Sequence, residues 1–263
     1  MDTIVLYCKS YRNDVDRAKV LLESVTQYNP EKLPFYISTP KADMQIFRDK
    51  LGTSGYTLLP DEDIDPMTSG WVGQQVVKAQ FWKLGLCENY LCLDSDSQFI
   101  KNFGKSDFMY TDTIPYTVCH EYKDFFEFME KHPMPFDPHE SFCKERKAVM
   151  ELFDRKGVIY DFGPSPIIWS SKVWKSLVDD YLTPNDLTIS KAFSVIPSEF
   201  TWYGEWLLTC QAFPIYPREA IFKSYHYRHQ YELDKRAGVT VEKLAKYYFG
   251  YIINTNWGAP LKF

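Results

Sequence analysis

Short apolar runs alternate with segments of helical periodicity through the first hundred residues. The runs at 3–8, 33–38, 56–60 and 90–96 are rich in aliphatic and aromatic residues, and they predict four strands. After each of the first three runs, apolar positions recur every three or four residues and predict a helix. Strand–helix alternation of this kind is typical of an α/β fold with a mainly parallel sheet covered by helices.

The pattern changes after residue 120, where helices dominate. The predicted elements are helices over 124–132 and 140–153, a strand at 167–170 followed by a helix, a helix from near Ser198, a strand or loop over 220–232, and a last helix over 241–252. No internal repeat, low-complexity segment or convincing linker interrupts the sequence. We therefore predict one compact α/β unit with a helical elaboration in its second half.

Composition narrows the class of protein without indicating a reaction. The 263 residues are 45% hydrophobic and 25% charged, which is typical of a soluble globular protein. A net charge of −5 and the lack of a basic stripe argue against a nucleic-acid binder. No apolar run approaches the roughly 20 residues of a membrane span, and the N-terminus lacks the features of a signal peptide. The six scattered cysteines predict reduced thiols and a cytoplasmic protein.

Asp-x-Asp occurs four times, and only context separates the copies. Asp14 and Asp16 open a predicted helix, where carboxylates stabilise the helix dipole, and the two copies within 61–65 are predicted to lie in a solvated acidic turn. Asp94 and Asp96 instead end a buried strand, where open α/β sheets form their ligand crevice. Residues two apart in a strand point the same way, so these two carboxylates can converge on Mg²⁺ or Mn²⁺. A polar strand end is the alternative.

Lys78 lies sixteen residues before Asp94, in the run WVGQQVVKAQFWKL that leads to LCLDSD. This spacing resembles that of the glycogenin-like group of GT-A fold glycosyltransferases. The segments YRNDVDRAKVLLESV, YDFGPSPIIWSSKVW, SEFTWYGEWLL and SYHYRHQYE extend the resemblance, over roughly residues 3–260, to bacterial glycosyltransferases linked to surface polysaccharide synthesis. The resemblance implies a single GT-A domain over 1–263, with a nucleotide-sugar-binding half (1–119) and an acceptor-binding half (120–263).

Such enzymes move a sugar from a nucleoside-diphosphate sugar, held through Mn²⁺ or Mg²⁺, to a hydroxyl of a glycan or a lipid-linked glycan. For this chain the resemblance implies the same donor and the same acceptor. It also implies peripheral association with membrane-bound partners. Two other classes stay open: a haloacid-dehalogenase-type phosphatase that uses Asp94 and Asp96, and a non-catalytic carbohydrate-binding or interaction module on a GT-A shell. The phosphatase motif normally follows the first strand, whereas LCLDSD follows about the fourth.

The resemblance also implies which residues bind the metal and the donor. The metal ligands are Asp94, Asp96 and His226, with His229 as the alternative to His226. The donor-binding residues are Tyr11, Arg12, Gln75, Lys78, Asp94 and Arg228. From the residues alone, these assignments have structural alternatives: His226 as a packed histidine, Lys78 as a lysine on a helix surface, and Tyr11 and Arg12 as turn residues beside a helix cap.

The implied catalytic residues are Glu199, as the general base that deprotonates the acceptor hydroxyl, then Glu205, and Asp161, which either binds donor-sugar hydroxyls or fixes its turn. Glu199 also follows Ser198, a predicted cap, so a helix-dipole role is its alternative. Residues six apart on a helix point about 240° apart, so Glu199 and Glu205 do not share one task. Gly204, inside this helix, indicates close approach of a ligand or a neighbouring backbone. Inverting and retaining stereochemistry both stay open, since the lysine spacing is that of a retaining family and an acidic base suits inversion.

Overall fold

The computed structural model describes residues 1–66, 70–132 and 137–263. The strands are β1 (Asp2–Lys9), β2 (Phe35–Thr39), β3 (Thr57–Pro60), β4 (Cys87–Asp94), β5 (Ser97–Phe99), β6 (Thr117–Val118), β7 (Ile167–Ser170), β8 (Pro217–Arg218), β9 (Phe222–Tyr225) and β10 (Gly250–Ile253). The α-helices are α1 (Val15–Tyr28), α2 (Met44–Leu51), α3 (Gly70–Gln80), α4 (Lys123–Lys131), α5 (Pro138–Leu152), α6 (Ser171–Ser176), α7 (Ile189–Val195), α8 (Glu199–Cys210), α9 (Arg228–Arg236) and α10 (Val241–Leu244).

The central sheet has the strand order β3-β2-β1-β4-β7. Its first four strands are parallel, and β7 pairs antiparallel with β4 at the edge. This confirms the predicted α/β class with a mainly parallel sheet flanked by helices. In the register of β1 with β4, Lys9 lies opposite Asp94. The pairing therefore brings a cation and the first aspartate of LCLDSD to the same edge of the sheet.

Helices cover both faces of this sheet because side chains alternate along β1. Leu6 and Cys8 pack into an apolar cluster with α1 and α2, whereas Val5 and Tyr7 pack into a second cluster with α3, α6 and α8. All four side chains are fully buried. Because both faces of β1 are buried, its sequence is a continuous apolar run. The packing on both faces also supports the carboxyl edge of the sheet.

A second sheet has the order β5-β10-β9, and β6 pairs with β8. The predicted helix over 241–252 is therefore wrong beyond Leu244, because Gly250–Ile253 is the central strand of this second sheet. A Cβ atom at Gly250 would collide with the Gln98 carbonyl oxygen and the Phe222 ring, so a glycine permits this close strand packing. The predicted strand or loop over 220–232 is a strand, β9, followed by the helix α9.

Strand β7 comes from the second half of the chain and completes the sheet of the first half. Strand β10, also late in the sequence, pairs with β5 on one side and with β9 on the other. The division into a donor half and an acceptor half stays a prediction, and these pairings show that the two parts share both larger sheets. No helix among the described residues is long and apolar enough to cross a membrane. All six cysteines are free, and Cys8, Cys87 and Cys92 are buried.

Candidate active site

A cleft of about 1190 Å³ opens at the carboxyl edge of the central sheet. Open α/β sheets place their ligands at this edge. The end of β1 contributes Lys9, the end of β4 contributes Asp94, and the first residue of α8 contributes Glu199. Helix α3 adds Gln75 and Lys78 from the side. Residues far apart in the sequence therefore meet in one polar pocket.

Lys78 links the two acidic residues at the base of the cleft. Its ammonium nitrogen lies 2.5 Å from Asp94 Oδ1 and 3.5 Å from Glu199 Oε1, and its side chain is 8% exposed. Burial alone would lower the pKa of Lys78, but the charges of Asp94 and Glu199 outweigh burial and raise that pKa well above its usual range. Lys78 therefore keeps its positive charge, and the helix-surface alternative is excluded.

Glu199 is buried, and both of its carboxylate oxygens face polar partners. Ser198 caps α8 by accepting a hydrogen bond from the Thr201 backbone N–H, as predicted. With its amide oriented to suit its surroundings, Gln75 donates to Glu199 Oε2 at 3.0 Å and to the Pro197 carbonyl oxygen at 3.3 Å. Burial raises the pKa of Glu199, and Lys78 opposes that shift. This carboxylate is therefore held in place at the cleft with a proton affinity above the ordinary one.

Asp96 also lines the cleft, and its environment suits a ligand of a divalent cation. Its Oδ1 atom is buried and has no hydrogen-bond partner among the described residues. Burial, and then the charge of Asp94, raise the pKa of Asp96 to about 7. Two adjacent carboxylates with one unsatisfied oxygen are the ligands that a hard divalent cation takes, so the pair fits Mg²⁺ or Mn²⁺.

The predicted third ligand, His226, lines the same cleft. Its Nε2 lies 3.1 Å from the Tyr122 hydroxyl, and burial lowers its pKa, which favours the neutral ring that metals bind. Within the described ranges, no three His, Cys, Asp or Glu side chains form a group arranged to hold a metal ion. The alternative, His229, lies outside the cleft lining, with its ring stacked on Phe128.

The other predicted donor-binding residues divide into two groups. Tyr11 lines the cleft and is 40% exposed, which leaves its ring free to stack. Arg12 and Arg228 do not line it. The Arg12 guanidinium binds Asp43 at 2.6 Å, and Arg228 donates to the Trp257 carbonyl oxygen at 3.0 Å.

The remaining two predicted catalytic residues also separate. Asp161 lines the cleft, where Arg146 binds its Oδ1 at 2.5 Å. Glu205 is fully buried outside the lining and forms an ion pair with Arg155. Helix α8 thus turns Glu199 toward the cleft and Glu205 away from it, as their angular separation requires. The close approach at Gly204 is made by the Phe162 ring, with which a Cβ atom would collide.

The model of a family of unknown function (DUF6492) matches residues 3–231 of this chain. The chain belongs to this family. No curated protein sequence matches it. Among solved structures, apo mouse xyloside xylosyltransferase 1 is similar over 99% of this chain and 100% of that chain, at 10% identity and a TM-score of 0.49. A likeness of this degree says nothing about the reaction.

In this DUF6492 chain, two further acids line the cleft: Asp61, predicted to lie in a solvated acidic turn, and Asp14, predicted to stabilise a helix dipole. The prediction of a solvated turn is wrong for Asp61, which is 6% exposed and binds Lys9 at 2.8 Å. Asp14 precedes α1 but makes no side-chain capping hydrogen bond, and it lines the cleft. For the ion pair of Lys9 with Asp61, the sequence offers one signal: Lys9 is a cation at the end of a buried strand.

Charge is unevenly distributed along the described lining of the DUF6492 cleft. Seven carboxylates line it against three cations, Lys9, Lys78 and Arg146. Each cation is within ion-pair distance of a carboxylate, respectively Asp61, Asp94 and Asp161. The cleft is therefore negative overall, and an anionic ligand would need positive charge brought with it.

Proposed function

We propose that this chain is a glycosyltransferase that moves a sugar from a nucleoside-diphosphate sugar to a hydroxyl of a glycan or lipid-linked glycan. The observation that carries the proposal is the contact of Lys78 with both Asp94 and Glu199 at the base of the cleft. This contact places Lys78 and Asp94, which suit a diphosphate site, next to Glu199, which suits proton transfer. The resemblance to bacterial surface-polysaccharide enzymes supports the acceptor class and a cytoplasmic location.

On the donor side, Asp94 and Asp96 would hold Mn²⁺ or Mg²⁺, together with phosphate oxygens of the donor and His226. When bound, the cation supplies positive charge that stabilises the departing nucleoside diphosphate. Lys78 adds a fixed point charge beside the same phosphates. The exposed ring of Tyr11 offers a stacking surface for the base at the open end of the cleft.

On the acceptor side, Glu199 would remove the proton of the attacking hydroxyl. A buried carboxylate with a raised pKa is a stronger base at neutral pH than an exposed one. Lys78 and Gln75 fix its two oxygens, so its orientation does not depend on the acceptor. A base in this position corresponds to inversion at the anomeric carbon, and proton NMR of the product would test that stereochemistry.

Calorimetric titration with UDP, GDP, CDP and dTDP, with and without Mn²⁺, tests the donor site. We expect at least one nucleotide to bind in a Mn²⁺-dependent manner and Asp94→Asn and Asp96→Asn to abolish that dependence. Asp16→Asn is the matched control, since Asp16 belongs to another Asp-x-Asp copy and its side chain is 62% exposed. If no nucleotide binds in the presence of Mn²⁺, the proposal fails.

His226→Ala should weaken the Mn²⁺-dependent binding by removing a ligand. An unaltered metal titration would move the third ligand to His229, and His229→Ala tests that alternative. Because the ring of His229 lies outside the cleft, we expect His229→Ala to leave the titration unchanged.

Glu199→Gln separates binding from catalysis. The variant should keep its nucleotide affinity, because glutamine preserves the shape of the side chain, and should lose transfer to acceptors. Normal turnover by Glu199→Gln would exclude the base assignment. Glu205→Gln is the matched control on the same helix and should retain transfer. A wild-type chain that binds nucleotide-sugars but neither transfers nor hydrolyses the sugar would instead support a carbohydrate-binding or interaction module.

A further inference from the structure

A second cavity, of about 670 Å³, adjoins the cleft. Its volume lies within the range of roughly 300–1,000 Å³ that small-ligand pockets occupy. Four residues line both spaces: Tyr122, Phe125, Pro164 and Ser224. The two spaces therefore adjoin at these four residues, and a ligand that reached from one space into the other would contact them.

The aromatic residues shared by the two spaces are well fixed. The ring of Phe125 stacks on that of Tyr122, with centroids 4.7 Å apart and planes inclined by 12°. The Tyr122 hydroxyl meets His226 Nε2 at 3.1 Å. Tyr122 has a φ of 58°, a left-handed conformation that costs a non-glycine residue about 1 kcal/mol or more. Such strain is often found where a side chain must be held at a binding site.

The second cavity offers polar groups with a net negative charge. Four carboxylates and two lysines line it. Both lysines are near acids: Lys123 lies 3.0 Å from Glu121, and Lys223 lies 3.7 Å from Asp234. Glu219 reaches His120 Nδ1 at 3.7 Å and is otherwise exposed. A phosphate or a carboxylate-bearing sugar would be repelled here, whereas a neutral polyhydroxylated ring could donate hydrogen bonds to the carboxylates.

Aromatic side chains complete the cavity. Phe128 and Tyr248 line it but not the cleft. Flat apolar faces beside carboxylate acceptors match a pyranose ring, which has apolar C–H faces and a rim of hydroxyl groups. The lining therefore favours a sugar over a purely apolar ligand.

We propose that the second cavity binds a further, neutral sugar residue of an oligosaccharide acceptor whose terminal hydroxyl lies in the cleft near Glu199. This inference rests on the proposed function, because it assigns the cleft to sugar transfer. It extends that function by defining the acceptor as at least two sugars long and uncharged next to its terminal residue. The diphosphate of a lipid-linked acceptor would lie beyond this cavity, since the carboxylates exclude it.

Calorimetry with simple sugars tests the proposal in the presence of UDP or GDP and Mn²⁺. The probes are lactose, maltose, cellobiose and diacetylchitobiose, their component monosaccharides, and sialyllactose as a charged comparison. We expect one or more neutral disaccharides to bind about tenfold more tightly than their monosaccharides, as for a modest aromatic contact. Sialyllactose should bind no more tightly than lactose.

Two neighbouring tyrosines provide a matched pair of variants. Tyr248→Ala removes a ring that lines the second cavity, whereas Tyr247→Ala removes one that is 79% exposed and lines neither space. The disaccharide advantage should disappear in Tyr248→Ala and persist in Tyr247→Ala. Glu219→Gln changes an exposed side chain without loss of volume, so it tests the same cavity if Tyr248→Ala proves unstable, and it should reduce the advantage severalfold.

The outcomes separate this inference from the proposed function. The second sugar site alone is overturned if nucleotide binding persists while no probe disaccharide binds more tightly than its monosaccharides. It is also overturned if the tighter binding of a disaccharide survives both Tyr248→Ala and Glu219→Gln. A disaccharide advantage in a chain that binds no nucleotide overturns the proposed transfer and keeps the cavity as a sugar site. Tighter binding of sialyllactose than of lactose overturns the assignment to a neutral sugar.

Discussion

Lys78→Met tests whether one buried cation holds the cleft together. The Lys78 ammonium lies 2.5 Å from Asp94 and 3.5 Å from Glu199, with 8% of the side chain exposed. Methionine retains much of the side-chain volume but removes the charge. Removing one partner of a buried ion pair typically costs about 3–5 kcal/mol, because the other charge stays buried. A large loss in the free energy of unfolding is therefore expected.

Proton uptake by Glu199 limits that loss. An ordinary glutamic acid has a pKa of about 4.3, so its protonation at pH 7 costs about 3.7 kcal/mol. Burial has already raised the pKa of Glu199, so the cost here is smaller. We expect Lys78→Met to lower the free energy of unfolding by about 2–4 kcal/mol at pH 7.

The pH dependence follows from the direction of the shift. A carboxyl group with a raised folded-state pKa favours folding below its unfolded-state pKa, and that contribution is lost as pH rises through the folded value. Loss of Lys78 raises the pKa of Glu199 further, since Lys78 lowers it in the wild type. The penalty of Lys78→Met should therefore shrink toward pH 5 and grow toward pH 8.

Urea denaturation at pH 5, 7 and 8 measures these differences. Lys50→Met is the matched control, because Lys50 lies 3.2 Å from Asp16 in a pair whose side chains are 54% and 62% exposed. Exposed pairs contribute about 0–1 kcal/mol. The double variant Lys78→Met/Glu199→Gln should recover part of the loss. A penalty equal to that of Lys50→Met, or one independent of pH, would refute the reasoning.

Three further predictions concern residues around the site. Gly204→Ala should lower the free energy of unfolding by about 1–3 kcal/mol, because the new methyl would collide with the Phe162 ring; an unchanged thermal unfolding midpoint would contradict this. Arg155→Met should destabilise the fold by about 3–5 kcal/mol, because it leaves Glu205 buried without its partner. Nucleotide affinity measured by calorimetry should persist in this variant. Loss of that affinity in folded protein would indicate that Glu205 belongs to the active site. In metal-free buffer, Asp96→Asn should be more stable than the wild type at pH 8, and its advantage should shrink toward pH 5, since burial and Asp94 raise the pKa of Asp96 to about 7; an advantage that urea denaturation finds equal at both pH values would disprove the assignment.

The elements that were predicted correctly are those whose packing is visible in local periodicity. Strand β1 and helix α1 bury regular apolar patterns, and each pattern has one interpretation. The error over 241–252 arose where the sequence has apolar residues at spacings that suit either element. Ile252 and Ile253 belong to β10 because β5 and β9 provide partners on both sides, and such long-range pairing leaves no local signal.

The residues of the candidate site likewise differ in how much of their environment local sequence predicts. The sequence pointed to Asp94 through its place at the end of a buried strand and to Lys78 through the resemblance in its interval to Asp94, and both residues line the cleft. Arg12 was assigned to the donor, but its guanidinium is held by Asp43, a residue from the next βα connection. The pair of Lys9 with Asp61 likewise depends on how β1 and β3 are arranged in the sheet. Which acid neutralises which base is a three-dimensional property that spacing along the chain does not encode.

The pairing of acids with bases in the cleft gives the metal hypothesis a second basis. Besides the Asp-x-Asp motif, it now depends on the balance of charges along the cleft lining. Each cation of the described cleft lining already faces a carboxylate, and acids outnumber cations there. A diphosphate would add negative charge to a field that already raises the pKa of Asp96. A divalent cation between Asp94 and Asp96 would offset both sets of charges. Mn²⁺ and nucleotide should then increase each other's affinity by the same factor, as linkage requires. Asp14, which also lines the cleft, adds to the negative charge that raises the pKa of Asp96 and that such a cation would offset.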